Sequence, residues 1–137
     1  MPRPPSELAR AWLIKAHSDL HTATQIGGLP DGHLDAGIYH CQQAAEKALK
    51  GFLVFREVAF EKIHDLEKII QRAVKFEPAF GQLAIAAASL TPYSSAYRYP
   101  SEQGFIEPSR EEFDEAVRQA QTIYDFVLNL LPKEARP

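Results

Sequence analysis

The sequence predicts an all-α protein, an up-and-down bundle of four or five helices, and three observations lead there. Apolar residues recur at spacings of three and four along most of the chain, with no stretch of strict alternation. Glycine and proline cluster between these stretches, where helices must end. Each stretch is long enough to bury one apolar face against its neighbours, as an antiparallel bundle requires. At 137 residues, with 45% hydrophobic and 24% charged, the chain reads as one domain with its own core. The expected core spans residues 6–131 of that single domain, 1–137, and residues 132–137 are expected to be a disordered polar tail.

The first expected helix runs from Ser6 to Ile26. Ser6 suits the N-cap, Glu7 suits the positive end of the helix dipole, and Leu8, Trp12, Ala16, Leu20 and Ala23 form a stripe. Gly27 to Gly32 then interrupts it. The second helix, His33 to Glu57, is the most apolar. Ile38, Cys41, Ala45, Ala48, Phe52 and Phe55 form its stripe, widened by Leu49 and Leu53, so it belongs at the centre. Its small residues Ala44, Ala45 and Ala48 admit a close neighbour, either another helix or a second chain.

A third, shorter helix is expected from His64 to Lys75, facing inward with Leu66, Ile69, Ile70, Ala73 and Val74; Glu77-Pro78 ends it. The fourth, Ala79 to Leu90, carries Phe80, Leu83, Ala87 and Leu90. The fifth has the clearest start, because Ser109 and Glu112 have capping-box spacing. Its face is Phe113, Val117, Ala120, Ile123, Tyr124, Val127 and Leu131.

Composition excludes several classes. A net charge of −3 argues against a general nucleic-acid coat, and a single cysteine, Cys41, excludes an internal disulfide. No apolar run of about 18 residues could cross a membrane. The leader Met1 to Pro5 has no apolar stretch of the kind that directs secretion, so a cytoplasmic location is expected. No phosphate-cradling glycine loop, nucleophile elbow or cysteine cluster occurs, and no cofactor is expected. His17 and His21 stand one helical turn apart, but no third metal ligand accompanies them, so no metal is expected either.

Three groups carry candidate chemistry. Gln43, Glu46, Lys47 and Lys50 lie along one side of the second helix. They are either a solvated face or a set in which Lys47 and Lys50 meet a phosphate while Gln43 orients a base or sugar. His64 and Asp65 begin the third helix, where a side chain caps free N–H groups or those N–H groups meet a phosphate oxygen. The segment Tyr93 to Pro100 holds Tyr93, Tyr97, Arg98 and Tyr99. Its tyrosines either pack on the bundle or stack on bases, and the Arg98 fork fits a phosphate.

The run Cys41 to Leu53, then Ile63-His64-Asp65-Leu66, then Tyr97-Arg98-Tyr99-Pro100, in that order, resembles the HEPN family, with Trp12, Ala16, Asp19 and Leu20 agreeing. The resemblance implies a four- or five-helix bundle that commonly forms homodimers. It also implies a member that binds nucleotides or RNA, works with a small nucleotidyltransferase in a two-gene module, or acts as a metal-independent ribonuclease. The ribonuclease branch carries an arginine and, a few residues later, a histidine near the start of the final helix. Here Arg98 is followed by no histidine, since none lies beyond His64. Arg10 and His17 match the spacing only on the first helix. The expectation is therefore a nucleotide- or RNA-binding module, with Gln43, Lys47, Lys50, His64, Asp65, Tyr97, Arg98 and Tyr99 as contacts. The alternatives are a divergent ribonuclease toxin using His64 and Arg98, and a ligand-free scaffold or antitoxin partner.

Overall fold

The computed structural model describes residues 2–60 and 62–137; Met1 of the leader lies outside them. It contains five α-helices: α1 Pro5–Gly27, α2 Leu34–Phe55, α3 Leu66–Ala73, α4 Ala84–Leu90 and α5 Arg110–Leu130. Short 3₁₀ turns occupy Pro78–Leu83, Thr91–Ser94 and Lys133–Ala135. No strand forms among the described residues, only an isolated bridge between Ser101 and Gly104.

Helix α2 packs against all four other helices, and α5 lies beside both α1 and α4. This central place follows from its composition. Ile38, Cys41, Ala44, Ala45, Ala48, Leu49 and Leu53 all lose their solvent contact entirely. Burial without a nearby cation pushes the Cys41 thiol up to about 12. The alanines and Gly51 let α1 approach α2 closely. A side chain added at Gly51 would run into the Leu13 methyl and stand 3.2 Å from Trp12 Cβ. At the other end of the bundle the Phe113 ring fills the space over two more glycines, 2.6 Å from a Cβ built on either Gly27 or Gly37.

Helix starts follow local chemistry. Asp65 caps α3, its carboxylate accepting from the Glu67 and Lys68 N–H groups at 2.9 and 3.4 Å. Ser109 caps α5 through the Glu112 N–H at 3.0 Å. The Glu112 side chain does not complete a capping box but accepts from Tyr97 Oη instead.

Four expectations need correction. Ser6 is not the N-cap of α1; Pro4 is, and Pro5 opens the helix, where its missing N–H costs nothing. The buried stripe of α1 is Ala9, Leu13, Ala16, Leu20 and Ala23, whereas Leu8 is 40% exposed and Trp12 only half-buried. Helix α1 turns its smaller residues inward because α2 lies too close for Trp12. The stretch Ala79 to Leu90 is a 3₁₀ turn up to Leu83 and α-helical only from Ala84. The tail 132–137 is ordered. Ala135 is fully buried, and the Arg10 Nε donates to the Arg136 carbonyl at 3.0 Å.

Gly51→Ala is expected to destabilise the protein despite the gain of about 1 kcal/mol in helix propensity. Overpacking against buried Leu13 and the Trp12 Cβ costs about 1–3 kcal/mol. A lower urea midpoint at unchanged slope would show it.

Candidate functional site

The side of α2 that the sequence marks for chemistry divides into three parts. Glu46 and Lys50 turn inward. Lys50 Nζ lies 2.9 Å from Glu46 Oε2, and each side chain keeps only 6% of its exposure. Gln42, fully buried, donates from Nε2 to Glu46 Oε1 at 3.0 Å. Lys50 also sits over the Phe60 ring, 5.3 Å from its centre. Lys50 is thus no phosphate donor: its charge is neutralised inside the bundle, where an unpaired ammonium would be prohibitively costly.

Lys47 turns toward α1. Its ammonium is bound to Asp19 Oδ2 at 2.6 Å, and His40 Nδ1 meets the other oxygen of Asp19 at 2.8 Å. A carboxylate only accepts, so Nδ1 carries the proton in that contact. Lys47 also borders a shallow apolar groove of about 220 Å³ between Leu8, Ala11, Trp12 and Lys15. It is therefore parted from the remaining candidates.

Gln43, His64 and Arg98 do come together. With Tyr39 and Ser94 they line a groove of about 240 Å³. Tyr39 and Gln43 are one helical turn apart on α2, His64 stands just before α3, and Ser94 and Arg98 come from the segment after α4. The Arg98 guanidinium lies over the Tyr39 ring, 4.5 Å from its centre, and 5.6 Å from that of Tyr99. Among the described residues no carboxylate pairs with Arg98. Its flat faces are held by tyrosines while the donor edge stays available.

The groove is wired to the core. His64 Nδ1 lies 3.2 Å from Glu46 Oε2, so the ring donates inward and keeps Nε2 for another partner. Gln43 Nε2 donates to Gln42 Oε1 at 2.7 Å. Asp65, by contrast, is spent on the α3 cap.

The tyrosine segment separates into packed and open parts. Tyr93 and Tyr97 stack on each other with centres 6.1 Å apart, and Tyr97 Oη donates to Glu112 at 2.5 Å. Tyr99 stays 70% exposed. The hydrogen bond to Glu112, helped by burial and by the carboxylate's charge, pushes the Tyr97 phenol up to about 12. Tyr39 and Ser94 were not among the residues expected at the site. The i,i+4 spacing of Tyr39 to Gln43 was the available signal.

The HEPN domain family model matches residues 9–130. The chain belongs to the HEPN family. Its fold is similar to the crystal structure of TT1696 from Thermus thermophilus, with a TM-score of 0.79 at 32% identity over 91% of this chain and 99% of that one. It is also similar to ST0689, an archaeal HEPN homologue, with a TM-score of 0.72 at 22% identity over 95% and 98% of the two chains. No curated protein matches. No helix among the described residues is long and apolar enough to cross a membrane.

Tyr97 makes stability at high pH a test of this arrangement. Its phenol titrates near 10 when unconstrained and near 12 in the fold, so the neutral form is the one the fold favours. The stabilisation is complete below pH 10 and lost as pH rises from 10 to 12. Urea melts across that window should show a shallower loss for Tyr97→Phe than for the wild type.

Proposed function

We propose that this HEPN domain is a nucleotide- or RNA-binding module whose ligand phosphate sits in the groove between Tyr39, Gln43, His64 and Arg98. The observation that carries it is Arg98, a permanent cation braced on Tyr39 without a carboxylate partner among the described residues. Its fork donates to two phosphate oxygens, Gln43 supplies a neutral hydrogen bond, and His64 adds a second charge when protonated. Exposed Tyr99 offers a stacking plane for a base. The groove volume of about 240 Å³ suits one phosphate-bearing unit rather than a whole dinucleotide.

The domain acts as a homodimer beside a small nucleotidyltransferase, as its family membership suggests. Exposed Leu8, which lines the apolar groove at Trp12, supports a self-association surface.

A second reading, a divergent ribonuclease, is favoured by the Glu46–His64 contact in the groove that holds Arg98. A carboxylate-oriented imidazole facing a phosphate is equipped for general acid–base chemistry.

Calorimetry with ATP, GTP and a short RNA tests the binding reading. Arg98→Ala should weaken binding about 10–100-fold, the share of a charge-assisted bidentate contact. Lys15→Ala, at the other groove, should change it little. No heat at millimolar ligand contradicts the proposal. The same RNA should stay intact in EDTA; cleavage abolished by His64→Ala would select the ribonuclease instead.

A further inference from the structure

We propose that His33, Asp35 and Glu107 form a binding site for a zinc-type divalent cation, at the joint between the start of α2 and the segment that enters α5. One donor atom from each residue lies within 4.8 Å of the other two. His33 and Asp35 flank the first residue of α2, Leu34, and Glu107 comes from just before the Ser109 cap of α5. Chain folding alone brings the third ligand in.

A separate observation falls on the same residue. Asp35 Oδ1 is shielded from water and has no hydrogen-bond partner, the one side-chain atom of its kind among the described residues. Shielded polar atoms are nearly always paired, and a bound ion is one of the few things that explain an orphan. The dipole of α2 favours the Asp35 charge but leaves this oxygen's lone pairs unused. A cation would use them.

The donor set selects the metal. One imidazole nitrogen with two carboxylate oxygens suits zinc better than magnesium or calcium, which prefer oxygen alone, and places two negative charges against the dication. Zinc takes such donors at about 2.0–2.2 Å, and side-chain rotation can bring atoms already within 4.8 Å of one another onto one ion. His33 and Glu107 are exposed and free to turn, while half-buried Asp35 is the fixed point. Water completes the coordination.

Asp35 stands one helical turn before Tyr39, the platform of Arg98. A cation here ties the segment entering α5 to the helix that forms the groove. Its presence can nevertheless be measured with no nucleotide added, so it is independent of the proposed function.

Titration of the full chain with ZnCl₂, by calorimetry and by the visible absorption of Co²⁺ as a stand-in, decides the matter. One ion per chain should bind and raise the melting temperature, and EDTA should reverse the rise. His33→Ala and Asp35→Asn should each weaken binding at least about tenfold, as loss of a metal contact does. The stacked pair His17 and His21 is the obvious rival on α1. Replacing both by alanine should leave the zinc site intact. No binding at millimolar zinc overturns the proposal. So does zinc binding that survives Asp35→Asn and His33→Ala, wherever else it resides.

Discussion

One buried carboxylate organises this molecule. Glu46 lies in the middle of the most apolar helix and is almost wholly out of water, held by Lys50 at 2.9 Å, Gln42 at 3.0 Å and His64 at 3.2 Å. A charge in that position survives only with all its lone pairs engaged, and removing one partner of such a pair typically costs about 3–5 kcal/mol. Helix α2 therefore has one rotation about its axis that satisfies both its alanine and leucine faces and its buried ions. That rotation aims Tyr39 and Gln43 at the opening beside α3. The start of α3 is fixed by the same carboxylate, because His64 completes its shell just before the Asp65 cap.

The distribution of cations follows from this constraint. Lys50 neutralises the core, Lys47 neutralises Asp19 across the α1–α2 seam, and Arg110 donates to the Gly27 carbonyl at the end of α1 at 2.5 Å. Arg98 has no such structural duty. It rests on tyrosine faces, which attract its charge without consuming its donors. That leaves its guanidinium edge available to an anion in the groove it shares with Tyr39, Gln43, His64 and Ser94. Its neighbour His64 is tied inward by one nitrogen and free at the other.

Much of this was legible in the residues alone. The apolar period of α2, the Ser109 start of α5 and the break after Gly27 emerge from spacing. The family likeness singles out Gln43, His64 and Arg98 among others, and only the fold brings these three together. The failures have physical causes. Spacing places Lys50 on the charged side of α2, but periodicity does not say whether a charged face meets water or a ring such as Phe60. Leu8 and Trp12 satisfy the same period as Ala9 and Leu13, and only the close approach at Gly51 chooses between the two stripes. The tail looks too polar to order, yet Ala135 finds a fully buried place and Arg10 holds the Arg136 carbonyl. Tyr39 shares a helix side with Gln43, but its partner Arg98 lies far along the chain, so only the fold shows that the two meet.

The proposed anion groove has Arg98 as its cation, with Lys47 outside it. Backbone and side-chain chemical shifts followed during titration with a nucleoside monophosphate test this most directly. Shifts should concentrate at Tyr39, Gln43, His64, Ser94 and Arg98, with the side chains of Lys47 and Trp12 unmoved. Shifts centred on Trp12, Lys15 and Lys47 would contradict it.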